Sequence, residues 1–214
     1  MSHRRIVIAV VNLKGGTGKT TSAMFGAHVL AELGRSVYLL DGDKQGSALS
    51  WQEDAPERLP FPVVGLPSNR LHVQLADVVP PRCDAVVIDT PPLEESSGVV
   101  VSALRVADAV LVPMKPTPTE YKRVRRVREV VDDAAGFRAS GEAVPLFVVL
   151  YRTKPNASST AVWADQLRAD GIHVLQHSIP DMERYAQADG DNISHAAATH
   201  YGDVFIELLE EIKA

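Results

Sequence analysis

Cysteine is almost missing from this sequence. Cys83 stands alone among 214 residues, so the chain cannot close a disulfide on itself or build a cysteine-rich metal site unaided. A reducing compartment agrees with that, and Cys83 is expected to be a small core residue. Long apolar runs are missing too. Ile6 to Val11 is six residues long and runs straight into a glycine loop, which a secretory leader would not do. No run approaches the roughly 20 apolar residues that span a bilayer. There is no basic excess either: the formal net charge is -5, so any nucleic-acid or membrane binding must come from a local patch. Repeats, low-complexity stretches and linkers are absent as well. Residues 1–214 are therefore read as one domain, soluble and cytoplasmic.

What is present is an alternation of short β-branched runs with longer helical patterns. RIVIAVV (5–11), SVYLLD (36–41), DAVVID (84–89), DAVLVP (108–113), PLFVVLY (145–151) and IHVLQ (172–176) read as strands. FPVVGL (61–66) reads as another, at an edge because of its prolines. Helices are expected over 20–33, 70–79, between 89 and 108, and over 119–135, 158–170 and 195–213, with Gly34 and Gly171 as C-terminal stops. The continuously apolar strands suit burial on both faces. The fold class is therefore α/β, a mostly parallel twisted sheet with helices on both faces.

The chemistry concentrates in NLKGGTGKTT (12–21). A phosphate loop usually reads G-x-x-x-x-G-K-[ST], yet Leu13 stands where its first glycine belongs. An extra Lys14 and the pair Gly15 and Gly16 take its place. The loop follows a buried strand and opens a helix. Gly15, Gly16 and Gly18 leave backbone N–H groups free to turn towards phosphates, at a helix N-terminus whose dipole favours them. Lys19 would reach the β- and γ-phosphates, and Thr20 would bind Mg²⁺. Thr17 and Thr21 complete the cradle. Two acidic strand ends accompany it: DGD (41–43) brings Asp41 and Asp43, and AVVIDTPP (85–92) ends its apolar run at Asp89. Acids at C-terminal strand ends lie where open α/β sheets bind ligands.

KGGTGKTT resembles the deviant loop K-G-G-x-G-K-[ST] of the ParA/MinD ATPases, and DGDKQGS resembles that group's D-x-D-P-Q-G motif. VVIDTPP, LVPMKPTPTEY and SIPDMERYAQADGDNI follow in family order, so the likeness runs along nearly the whole chain. It implies a P-loop NTPase with weak, partner-stimulated ATPase activity, using ATP/ADP and Mg²⁺. It also implies a homodimer in which Lys14 crosses to the other subunit's nucleotide, where it acts with Lys19. By the same likeness Asp43 orients the attacking water, while Asp41 and Asp89 support the metal. Lys44 departs from the pattern, which has proline there. TKPN (153–156) lacks the aspartate that reads guanine, so the base is taken as adenine. Arg152, Pro180 and Met182 are candidates to flank it.

The helix EYKRVRRVREVV (120–131) bears on the partner. Val124, Val127 and Val131 share a face, while Lys122, Arg123, Arg125, Arg126 and Arg128 put five cations in seven residues. Such a cluster is either a solvated face or a contact for DNA phosphates. In the ParA branch the implied partners are non-specific DNA of the nucleoid and a separate ParB-type centromere-binding protein. The rival, a MinD-like membrane ATPase, ends in a basic amphipathic helix. Here the closing helix carries Glu207, Glu210 and Glu211 beside Val204, Phe205, Leu208 and Ile212, which anionic lipid would repel. It is expected to dock on its own sheet. Positioning of a protein cargo is the other alternative. No helix-turn-helix extension is expected before the first strand, as in the small ParA type.

Overall fold

The apolar run near the start becomes β1 (Ile6–Val10), and it sits mid-sheet because its side chains are apolar towards both faces. In the computed structural model, which describes residues 5–213, β1 pairs in parallel with β4 (Ala85–Asp89) and with β5 (Ala109–Met114). β2 (Val37–Asp41) lies outside β4, and β3 (Val63–Gly65) forms the edge that its prolines implied. On the other side β6 (Leu146–Thr153) follows β5, and both β7 (His173–Val174) and β8 (Ile179–Pro180) pair with it. The order is β3-β2-β4-β1-β5-β6-β7, parallel throughout.

Side chains alternate across each strand, so Val7 and Ala9 enter one apolar core while Ile8 and Val10 enter the other. The first core is roofed by α3 (Leu71–Val78), α4 (Ser97–Leu104), α5 (Pro118–Asp133) and α6 (Ser158–Ala169). The second is roofed by α1 (Lys19–Glu32), α2 (Ser47–Asp54), the single turn α7 (Glu183–Ala186) and α8 (His200–Glu211). Val124, Val127 and Val131 are buried, as their helical spacing requires, and Cys83 is a buried core thiol.

Three features were not anticipated. α2 has just two buried residues, Ala48 and Trp51, too few for a periodic signal. Its Trp51 indole donates to the Asp191 carbonyl at 2.9 Å. β8 and α7 are too short to show a period. The closing helix starts at His200, not 195, because Thr199 caps it by accepting from Tyr201 N, after a 3₁₀ turn over Ala196–Ala198.

α8 docks on its own chain. Phe205 is fully buried, and a Cβ on Gly26 of α1 would stand 2.0 Å from its ring. Phe25 of α1 stacks on Tyr201 at 4.5 Å between centroids. Glu207 corrects the amphipathic reading: it points inward, 9% exposed, and its carboxylate accepts from Gln176 N (2.6 Å) and His177 N (3.0 Å). Those two N–H groups lie just beyond β7, where the ladder no longer supplies acceptors. Among the described residues no helix is long and apolar enough to cross a membrane.

His28, also on α1, is 3% exposed and lies edge-on to Phe61 with its Nε2 unpaired. Burial pushes its pKa down to about 4, against the attraction of Glu32. The unfolded imidazole takes a proton near pH 6.5, so acid favours the unfolded chain as pH falls from 6.5 towards 4. This group alone is expected to lower stability by roughly 2 kcal/mol between pH 7 and pH 5. Urea unfolding of the wild type and His28→Gln at both pH values checks it, the variant losing that share of the slope.

Candidate nucleotide site

Residues 12–18 turn from β1 into α1 at the C-terminal edge of the sheet. Gly16 and Gly18 have φ of 69° and 89°, the left-handed region that glycine enters without strain. At Gly18 space is also decisive: a Cβ there would sit 2.6 Å from the Tyr151 ring at the end of β6. The missing first glycine has a structural replacement that sequence reading overlooked. Asn12 is fully buried; its Nδ2 donates to the Pro113 carbonyl at 2.7 Å and its Oδ1 accepts from Leu13 N at 2.6 Å. That amide ties the loop's first residues to β5. An asparagine directly after an apolar run was the available signal.

Lys19 opens α1, 7% exposed, and its Nζ donates to the Lys14 carbonyl at 3.0 Å. Burial lowers its pKa, against the attraction of Asp89, Asp43 and Glu95. Lys14 projects outward, its side chain 49% exposed, and its ammonium pairs with Glu94 on the segment joining β4 to α4.

Asp41 and Asp89 occupy the same register position at the ends of neighbouring strands. Their surroundings differ. Asp41 Oδ1 accepts from Asp43 N at 3.0 Å, and its Oδ2 accepts from Ala48 N (2.9 Å) and Leu49 N (3.1 Å), so this carboxylate caps α2. Burial raises its pKa and those bonds oppose the rise. Asp89 is buried with Oδ1 unpaired, and burial lifts its pKa to about 7 despite a hydrogen bond with Thr20 and the nearby Lys19. Asp43 is half-buried in the turn between β2 and α2, with Oδ1 accepting from Gln45 N at 3.0 Å, and Lys44 beside it is exposed. Among the described residues no three His, Cys, Asp or Glu side chains converge as a metal cage. Mg²⁺ needs none, being held by one or two protein groups with substrate phosphates. Thr20 with the unpaired oxygen of Asp89 fits that need.

The three base-flanking candidates come together. Arg152, next to last in β6, has φ 53°, its guanidinium 5.5 Å from the Tyr151 ring centre and 3.8 Å from Asp181. Pro180 pairs with Thr153, and Met182 follows, 39% exposed. Tyr151 thus joins this corner to Gly18. The basic helix is less basic than its cations suggest. Arg123 pairs with Glu120, Arg126 with Glu129 (2.6 Å) and Arg128 with Asp132 (2.8 Å), while Arg125 bonds the Tyr121 hydroxyl. Across α5 the five cations meet four acids, which a count of cations alone conceals.

The sequence profile of the CobQ/CobB/MinD/ParA nucleotide binding domain matches residues 8–195. The chain belongs to this family. Within it, Maintenance of carboxysome distribution protein A of Halothiobacillus neapolitanus is 28% identical, covering 99% of this chain and 98% of the relative. The chromosome-partitioning ATPase Soj of Thermus thermophilus is 30% identical, covering 97% and 95%. Among solved structures, the cobyrinic acid a,c-diamide synthase of Mycobacterium smegmatis with bound ATP analogue and magnesium superposes with a TM-score of 0.76. It is 18% identical and covers 99% of this chain and 97% of that one. At that identity it speaks for the P-loop fold alone.

Proposed function

We propose that this chain is a ParA-type partition ATPase, switched by ATP between a monomer and a DNA-binding homodimer. The observation that carries the reading is Lys14: a cation exposed at the rim of a phosphate loop, able to serve a neighbouring protomer's site.

ATP binds with its phosphates over the N–H groups of residues 15–20, where Lys19 supplies charge from within. Thr20, with Asp89 and Asp41 in support, would hold Mg²⁺, which would supply charge neutralisation on the phosphates. Asp43 orients the attacking water. Lys14 of each protomer neutralises the phosphoryl group transferred in the other. Arg152, Pro180 and Met182 flank the adenine. Lys122 and Arg125, free of intrahelical acid partners among the described contacts, lead the DNA contact, with Arg123, Arg126 and Arg128 beside them. A ParB-type partner stimulates hydrolysis and releases the dimer from the nucleoid. A second reading, in which the cargo is a protein assembly, is supported by the near full-length likeness to a carboxysome distribution protein.

Sedimentation and gel shift with a non-hydrolysable ATP analogue against ADP test the proposal. Only the analogue is expected to give dimers and DNA complexes. Lys122→Glu with Arg125→Glu is expected to weaken DNA binding at least roughly tenfold and to flatten its salt dependence. If the analogue alters neither self-association nor DNA affinity, the switch is wrong.

A further inference from the structure

Lys14 is not idle in the protomer. The segment from Thr90 to Ser96 leaves Asp89 and runs alongside the phosphate loop before α4 begins. Its backbone is bonded to the loop, Leu93 N to Asn12 O at 3.1 Å and Glu94 N to Leu13 O at 3.3 Å, and Pro92 lies against Gly15. These contacts bring the Glu94 carboxylate into an ion pair with the Lys14 ammonium. Glu95, the next residue, is exposed and contributes a weaker attraction to the other lysine, Lys19.

We infer that Glu94 is a positioning residue that retains Lys14 on its own protomer and so raises the ATP threshold for dimerisation. This rests on the reading that Lys14 serves the partner's nucleotide. In that state Lys14 cannot also hold Glu94, so each protomer must break the pair. The segment carrying Glu94 starts at Asp89, the carboxylate placed to support the metal, so nucleotide loading and release of Lys14 share one stretch of backbone. Both side chains are roughly half exposed, 49% and 43%, and the pair is correspondingly modest. Exposed ion pairs shift an equilibrium by about 1.4- to five-fold. Two pairs broken per dimer then amount to about 2- to 25-fold in the dimerisation constant.

The test is sedimentation equilibrium of the full chain with saturating non-hydrolysable ATP analogue and Mg²⁺. The variants are Glu94→Gln, Glu94→Asp, Glu95→Gln, Lys14→Gln and the Lys14→Gln/Glu94→Gln double variant. Glu94→Gln is expected to tighten the dimer by about 2- to 25-fold, with Glu94→Asp falling between it and the wild type. In the Lys14→Gln background the same change should do nothing. An unchanged or weakened Glu94→Gln dimer, with a wild-type dimer that depends on Lys14, overturns the retention of Lys14 and leaves the partition reading standing. An equal gain from Glu95→Gln, or one that persists without Lys14, also overturns it, since loss of acidic field would then explain the effect. A wild type that stays monomeric with analogue overturns the reading beneath.

Discussion

Lys14→Ala will lower single-turnover ATP hydrolysis by roughly 10³- to 10⁵-fold, the effect of losing a supplied cation in phosphoryl transfer. It will do so with little change in nucleotide binding by the protomer. Lys14 points away from its own loop towards Glu94, and its contribution there is the backbone carbonyl that takes the Lys19 ammonium, which alanine keeps. Lys19→Ala should behave differently, because its side chain is buried among the loop, Asp89 and Asp43, and its loss removes nucleotide binding itself. Fluorescent-nucleotide titration alongside rapid-quench hydrolysis separates the two. Equal loss of binding in both variants would deny Lys14 its service to a second protomer.

Phe205→Ala will destabilise the fold by about 3–5 kcal/mol, the usual cost of emptying an aromatic site in a core. The ring is fully buried and fills the notch that Gly26 opens in α1, where the closing helix crosses the helix of the phosphate loop. Urea unfolding of the wild type and variant checks the figure, with a shifted midpoint and an unchanged slope. The same packing buries Val204, Phe205 and Leu208 of α8 within its own chain.

The sheet and most of its helices were legible because β1, β2, β4, β5 and β6 are nearly continuous apolar runs, and such runs have little choice but a doubly covered parallel sheet. The loop was legible because glycine at positive φ leaves a mark in sequence. What escaped was decided at long range. The capping of α2 depends on a carboxylate in a preceding strand, and the inward turn of Glu207 depends on two N–H groups 30 and 31 residues earlier. Asn12 was unread because its partner lies 101 residues away. The neutralised half of α5 was visible in the letters, but the pairing shows itself once acids three and four positions from each arginine are included.

The bonds of Asp41 give the turn between β2 and α2 a mechanical character. With one oxygen gripping Asp43 and the other gripping the first turn of α2, residues 42–46 form a stirrup hung from a rigid strand. From α2 the Trp51 indole reaches on to the Asp191 carbonyl, at 2.9 Å. The β2–α2 turn and the stretch of chain around Asp191 are thus tied to the same short helix from opposite sides.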